Sequence, residues 1–299
     1  MIILFPHILY CALADRAVRN THGHVFNPFA GTYMHIKTAH LVFFSPCRGT
    51  LAAARGITSG LPFPITEHDL TLPSARTRTR IFEPDDLVIL AFPVYGGRLP
   101  HNANQIFAAI RGNDTPTVLV AVYGNRACED ALLEMQHEAE KQGLIAIAAA
   151  SPVAEHSMAP EVAANRPDSA DKTALARFGK SVAEYLTSLT LSLNAPFTAP
   201  GEFPYRKEPI RANAAPKGTE SCIRCGNCVP VCPTGAIVAT APETADNTLC
   251  IICMACIKAC PNQARQPTHA TYAQAVPWLR ANCMRRKEPD FFPETFPNG

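Results

Sequence analysis

The 299-residue chain lacks the sequence patterns of several common protein classes. No apolar run approaches the roughly 18 residues that a membrane-spanning helix needs. Charged residues make up only 17% of the chain and the formal net charge is +2, so neither a nucleic-acid-binding surface nor an acidic tail is indicated. Neither a G-x-x-x-x-G-K-[ST] loop nor a G-x-G-x-x-G sequence occurs, so nothing indicates nucleotide hydrolysis or a nicotinamide site.

The N-terminal stretch does not have the pattern of an export signal. It carries no basic residue ahead of its short apolar run, and Pro6 and His7 interrupt that run. Residues 1–33 show no helical or strand period. We therefore predict an irregular N-terminal extension over residues 1–37 and expect Met34 to be the initiating residue.

Twelve cysteines occur in the chain, and eight of them form two runs of the same spacing. Residues 222–233 and 250–261 each read C-x2-C-x2-C-x3-C-P, the spacing that holds [4Fe–4S] clusters in bacterial ferredoxins. Three thiolates of a run bind one cubane, and the fourth completes the other cubane. The predicted ligands are set I (Cys222, Cys225, Cys228 and Cys260) and set II (Cys250, Cys253, Cys256 and Cys232).

Zinc binding and disulfide bonding fit the spacing of these cysteines less well. Zinc sites usually take four ligands from two separated C-x2-C pairs, whereas each run here contains four cysteines. Disulfides between cysteines this near in sequence would close short, strained loops. Thiolate clusters and further unpaired thiols are typical of a reducing compartment, so a cytoplasmic location is expected.

Short apolar runs alternate with helical patterns between residues 38 and 193. The predicted strands are 41–44, 63–66, 87–92, 117–122 and 144–150, and the predicted helices begin at 51 or cover 104–110, 128–142 and 169–193. This alternation predicts an α/β fold with a doubly wound, five-stranded parallel sheet in the order 2-1-3-4-5. Ligands of such sheets bind outside the carboxyl ends of the strands, near the switch between strands 1 and 3.

Downstream of this domain we predict three further segments. Residues 194–217 form a proline-rich linker, which we expect to be a semi-extended connection and not a packed element. Residues 218–270 form a small α+β domain built from the two cysteine runs, and residues 271–299 form a helix followed by an irregular tail.

Three loops at the carboxyl end of the predicted sheet carry candidate ligand contacts: Ser45, Arg48, Gly49 and Thr50; Tyr95, Gly96 and Gly97; and Tyr123, Gly124 and Asn125. A strand, a Ser/Thr/Gly loop and a helix N-terminus together form an arrangement that binds phosphate. Either tyrosine could stack on an aromatic ligand or simply cap the edge of the sheet. The glycines could bring N–H groups to a ligand or serve only as turn residues.

Further polar residues near these loops can each be interpreted in two ways. His156 follows the fifth strand and could act as an acid or base, although lone histidines are more often structural. Cys47 precedes a helix, where a thiol pKa can fall, although a small buried residue is commoner there. The arginines at 76, 78 and 80 form either a docking face for an acidic redox partner or a solvated strand edge.

Residues 93–98, 122–127 and 154–157, together with the paired cysteine motif, resemble the flavodoxin–ferredoxin fusion family of bacteria and archaea. The resemblance covers about residues 38–290. It implies a flavodoxin-like domain followed by a two-[4Fe–4S] ferredoxin domain, with FMN as second cofactor and a redox protein as donor or acceptor. The family's threonine-rich phosphate loop is replaced here by Ser-Pro-Cys-Arg-Gly-Thr at 45–50, in which Arg48 could pair with phosphate or block a tight turn.

Three functions are compatible with this pattern. The first is an electron-transfer iron–sulfur flavoprotein that carries electrons between two [4Fe–4S] clusters and FMN or a docked redox partner. The alternative is a ferredoxin-type carrier whose flavodoxin-like domain holds no flavin and docks a partner. The third is an FMN-dependent reductase of a small substrate, for which the sequence indicates no catalytic acid or base.

Overall fold

The computed structural model describes residues 18–19, 25–26, 35–188, 197–206, 214–267 and 269–296. Met34 and most of the predicted N-terminal extension lie outside the described residues. Within that extension, β1 (Val18–Arg19) and β2 (Val25–Phe26) pair in antiparallel fashion, which the sequence pattern did not predict. None of the helices in the described ranges has the length and apolar character that crossing a membrane requires.

Strands and helices alternate between residues 38 and 188. The strands are β3 (Thr38–Phe43), β4 (Ile65–Asp69), β5 (Arg80–Phe82), β6 (Asp86–Pro93), β7 (Ile110–Gly112), β8 (Thr115–Val122) and β9 (Leu144–Ser151). The helices are α1 (Gly49–Thr58), α2 (Ala103–Phe107), α3 (Ala131–Glu140) and α4 (Ser169–Ser188). Strands β6 and β8 are almost continuously apolar and buried, because helices cover both faces of a central parallel strand.

Five of these strands form one parallel sheet in the order β4-β3-β6-β8-β9. Counted along the chain this is the order 2-1-3-4-5, so the predicted doubly wound, flavodoxin-like sheet is confirmed. The short strands β5 and β7 pair with each other outside this sheet.

A sixth strand, β12 (Asp290–Phe292), pairs antiparallel with β9 at the edge of the sheet. The prediction of an irregular C-terminal tail is therefore wrong for these residues. An uncovered β9 would expose a row of unpaired backbone groups, and β12 provides partners for them. Phe291 of this strand stacks on Phe178 of α4, with ring centroids 4.8 Å apart, so the tail also adds to the apolar core.

The C-terminal domain contains β10 (Lys217–Gly218), α5 (Ala255–Lys258) and β11 (Arg265–Gln266), and β10 pairs antiparallel with β11. Helix α6 (Ala270–Asn282) then leads the chain back to the sheet. The apolar core between the sheet and helices α2 and α3 includes Ile251, Cys253 and Ala255 of the C-terminal domain. The two domains therefore share one continuous apolar core.

The described part of the proline-rich segment, residues 197–206, packs against α3. The Gln136 side chain donates a hydrogen bond to the Phe197 carbonyl (3.0 Å) and accepts one from the Ala199 N–H (2.7 Å). The buried Asp130 carboxylate accepts hydrogen bonds from the N–H groups of Glu202 and Arg206. The prediction of an unpacked connection is wrong for residues 197–206, because the side chains of Asp130 and Gln136 take hydrogen-bond partners from this segment. The domain boundaries themselves stay a prediction.

Candidate functional site

A cavity of about 500 Å³ lies at the carboxyl ends of β3, β6 and β8, where a doubly wound sheet is expected to bind a ligand. This volume is typical of small-molecule sites. Seven of the predicted contacts line it: Arg48, Gly49, Thr50, Tyr95, Gly96, Tyr123 and Gly124. The opposite wall is formed by the C-terminal domain and α6, through Ile252, Cys253, Lys258, Ala275, Trp278 and Leu279.

Ser45 holds the loop between β3 and α1 and does not line the cavity. Its buried hydroxyl accepts a hydrogen bond from the Leu51 N–H (3.0 Å), and its own N–H donates to the Thr71 hydroxyl (3.0 Å). The fold therefore uses the Ser45 hydroxyl inside the loop, and a ligand contact of Ser45 stays a prediction.

Arg48 does not block the tight turn, which was one of its two possible effects. It adopts a left-handed conformation (φ 67°), the region that favours glycine, and α1 begins directly after it. Its exposed guanidinium pairs with Asp69 at 3.0 Å, beside the cavity. Gly49 approaches the opposite loop closely, since a Cβ there would lie 3.1 Å from the Ala154 Cβ.

Tyr95 and Gly124 face the cavity, whereas Gly97 does not. Tyr95 packs against the shared apolar core, and burial, followed by the proximity of Cys253, raises the pKa of its phenol well above the usual value. A Cβ on Gly124 would lie 2.4 Å from the His156 ring, so only glycine fits there. Gly97 (φ 92°) lies against Glu129 outside the cavity lining, so its role is that of a turn residue.

Asn125, which was also predicted as a ligand contact, has its side-chain partners in the C-terminal segment. It is buried outside the cavity, and its amide nitrogen donates to the carbonyls of Cys283 (2.6 Å) and Arg285 (2.8 Å). Its amide oxygen accepts a hydrogen bond from the Lys287 N–H at 3.2 Å. Asn125 therefore attaches the C-terminal segment to the sheet.

We expect Asn125→Ala to destabilise the attachment of β12 by about 1–3 kcal/mol, because the carbonyls of Cys283 and Arg285 lose their donor. Amide hydrogen exchange at residues 290–292 should become correspondingly faster. The matched control is Asn113→Ala. Asn113 precedes β8 at the opposite end of the sheet from the residues that pair with β12, so this variant should leave the exchange unchanged. Equal exchange rates in Asn125→Ala and the unaltered chain would contradict the assignment.

Cys47 and His156 line the cavity, and burial is the main cause of the pKa shift of each side chain. Burial raises the pKa of the Cys47 thiol to about 11, although Lys258 acts in the opposite direction. This environment favours the neutral thiol of Cys47, whose Sγ donates to the Cys253 carbonyl at 2.9 Å. Burial also lowers the pKa of His156, whose Nδ1 accepts the Met158 N–H at 3.2 Å, as in a structural histidine.

Arg76 joins the two domains of the chain. Its guanidinium donates to the carbonyls of Leu70 (2.8 Å), Thr71 (2.6 Å) and Pro233 (3.0 Å), the last lying in the C-terminal domain. The predicted docking face for an external partner is therefore not supported at Arg76, because its donors are used within the chain.

Each predicted cysteine set lines a small cavity of its own. The four cysteines of set I meet in one cavity, together with Arg265, and those of set II meet in another. Cys225 of set I is exposed, whereas Cys253 of set II is buried. Within the described ranges, no three His, Cys, Asp or Glu side chains are placed to hold one metal ion. The donor set and its grouping fit two cubanes, since each thiolate of a cubane binds a different iron.

Sequence patterns did not indicate the residues that the C-terminal domain and α6 bring to the large cavity. Trp278, the one tryptophan of the chain, lines the cavity while about half exposed. Lys258 also lines it and pairs with Glu155 of the sheet domain at 3.0 Å. The sequence showed a single tryptophan in the tail, but no local pattern predicted that it would line the cavity.

The 4Fe-4S binding domain family (Fer4) matches residues 216–238 and 244–266, which contain both cysteine sets. None of the curated protein sequences matches the chain.

Several solved structures resemble the sheet domain. A flavodoxin from Streptococcus pneumoniae TIGR4 is 18% identical, with a TM-score of 0.35 over 49% of this chain and 98% of that one. An archaeal flavodoxin is 13% identical, with a TM-score of 0.34 over 50% and 98%. An NAD(P)H:quinone oxidoreductase from Methanothermobacter marburgensis is 13% identical, with a TM-score of 0.28 over 52% and 98%. We base the fold assignment on the strand order and not on these scores.

Proposed function

We propose that this iron–sulfur electron-transfer protein, in which a flavodoxin-like sheet is joined to a 4Fe–4S binding domain, carries electrons between two [4Fe–4S] clusters and an FMN bound in the large cavity. When bound, each cluster supplies a one-electron carrier and FMN a group that takes one or two electrons. The eight cysteines of sets I and II are the proposed ligands of the clusters, and a redox protein is the proposed external donor or acceptor.

The main support for the proposal is that the large cavity and the small cavity of set II share a wall. Ile252 and Cys253 line both the large cavity and the small cavity of set II. No described residue lines both the large cavity and the cavity of set I. From this asymmetry we infer the order in which the redox centres are connected. The exposed Cys225 makes set I accessible to a partner, and set II lies between set I and the large cavity.

The residues of the large cavity suit an anionic, aromatic ligand. We propose that Arg48 and the N–H groups of Gly49 and Thr50 bind the FMN phosphate at the start of α1, where backbone donors and the helix dipole favour an anion. Tyr95 and Tyr123 are the proposed contacts of the flavin ring, since both expose an aromatic side chain to the cavity. Tyr95 also lies near Cys253 of set II, within the shared apolar core.

Anaerobic purification followed by iron, sulfide and flavin assays tests this function. We expect about eight irons and about one FMN per chain. About eight irons with no flavin, even after FMN is added under reducing conditions, would support a flavin-free docking domain instead. A colourless, zinc-loaded protein would contradict the proposal as a whole.

The role of Arg48 can be tested by its charge. Arg48→Gln should weaken FMN binding about tenfold, equivalent to about 1.4 kcal/mol, because a phosphate contact is lost. Riboflavin, which has no phosphate, should bind both proteins equally. The matched control is Arg55→Gln. Arg55 lies further along on α1, is similarly exposed and is also ion-paired, but does not line the cavity. Fluorescence titration measures these affinities, and an equal loss for FMN and riboflavin would refute a phosphate contact.

A further inference from the structure

Arg265 occupies a position that is apolar in the other half of the cysteine repeat. The first run continues Cys232-Pro-Thr-Gly-Ala-Ile237, and the second continues Cys260-Pro-Asn-Gln-Ala-Arg265. Both end residues are buried, with 4% of Ile237 and 3% of Arg265 exposed. A guanidinium therefore stands in the core of the domain where the repeat would supply a hydrocarbon side chain.

This guanidinium lies near both cysteine sets. Its Nη1 donates to the Pro242 carbonyl (2.5 Å) and lies 3.8 Å from the Cys228 Sγ of set I, and its Nη2 donates to the Thr244 carbonyl (2.9 Å). Cys256 of set II is also close to the guanidinium. Among the described residues its hydrogen-bond acceptors are the two carbonyls and the Cys228 sulfur, and no carboxylate is among them.

One N–H group of the Arg265 guanidinium makes none of these hydrogen bonds. The buried Nε has no hydrogen-bond acceptor among the described residues. Burial of a charge without a counter-charge is strongly unfavourable, so the chain must compensate this guanidinium with an anion. Glu243, next in sequence to both of the acceptor carbonyls, pairs with Arg224 at 2.8 Å. The two thiolate-ligated cubanes would add net negative charge beside Arg265, and their sulfurs accept hydrogen bonds.

We propose that Arg265 is a counter-charge shared by the two clusters and that it raises the reduction potential of both. An added electron makes a cluster more negative, so a fixed cation next to it stabilises the reduced form more than the oxidised form. This role depends on the two clusters of the proposed function and does not depend on flavin. Arg265 is thus a positioning and tuning residue, not a ligand.

Redox titration of the intact chain, followed by EPR, tests the proposal. Arg265→Gln should lower the equilibrium constant for one-electron reduction of each cluster about tenfold, which is about 59 mV to lower potential. Arg265→Lys keeps the charge and should shift both potentials by less than half as much. The matched control is Lys217→Gln, which removes an exposed charge from the strand paired with β11 and should leave both potentials unchanged.

Every outcome of this series decides the proposal. The proposal is supported if the reduction potentials of both clusters fall in Arg265→Gln only. It is also supported if Arg265→Gln loses iron while Arg265→Lys retains it. It is overturned if the potential of only one cluster shifts, if neither shifts, or if both Arg265 variants lose iron equally. The iron and sulfide content of the unaltered chain reports separately on the proposed function, because about eight irons there leave only the role of Arg265 in question.

Discussion

Cys253→Ser is expected to leave the anaerobically purified chain with about four of its roughly eight irons, because set II loses a thiolate while set I stays complete. Cys225→Ser should likewise lose about half of the iron, but from the other cluster. The two variants should also differ in behaviour. Cys225→Ser should keep the cluster next to the large cavity, whereas Cys253→Ser should disconnect the cavity from set I.

Iron assays and EPR of the reduced proteins measure this difference, since two neighbouring reduced clusters interact and a single cluster does not. Cys128→Ala is the matched control, because Cys128 belongs to neither set and lines neither of the two small cavities. It should retain all of its iron. If Cys253→Ser and Cys225→Ser both keep the iron content of the unaltered chain, the assignment of ligands is wrong.

Asp171→Ala should lower the free energy of unfolding by about 3–5 kcal/mol, because it leaves a buried arginine without its partner. The side chains of Arg166 and Asp171 are only 4% and 1% exposed, and they form two hydrogen bonds, of which Nε–Oδ2 measures 2.7 Å. Arg166 also donates to the carbonyl of Lys287 at 2.5 Å, so the loss should extend to the C-terminal segment. Urea denaturation at neutral pH measures the change.

The matched control for this prediction is Glu184→Ala. It breaks an ion pair with Lys180 on the same helix, at side chains that are 63% and 73% exposed. Solvent screens such a pair, so we expect a loss of only about 0.3–0.5 kcal/mol. Similar losses in Asp171→Ala and Glu184→Ala would mean that burial of the Arg166–Asp171 pair contributes nothing special to stability.

Much of the fold followed from local patterns. Apolar runs separated by helical patterns predicted the sheet order, which the structure confirms, because a parallel strand covered on both faces must be apolar along its length. Boundaries shifted by a few residues: the first strand begins at Thr38 and the second runs through Ile65–Asp69. Strand β12 was missed because three residues with one charge carry no period of their own.

The candidate site was only partly predictable. Loops at the carboxyl end of the sheet were found, because topology alone places them together. The sequence could not separate Tyr95, which faces the cavity, from Asn125, which binds the C-terminal segment. Both follow apolar strands, and only long-range partners distinguish them.

The sequence by itself determined the two cysteine sets and the doubly wound sheet, since each depends on spacing within a short stretch of chain. Only the tertiary structure decided that Cys47 contacts Cys253 across 206 residues of sequence. It likewise decided that Ile252 forms a wall of the large cavity and that the buried Arg265 contacts Cys228 of set I. Such contacts depend on how two domains pack on one core, and neither the period nor the composition of a segment records its distant partner.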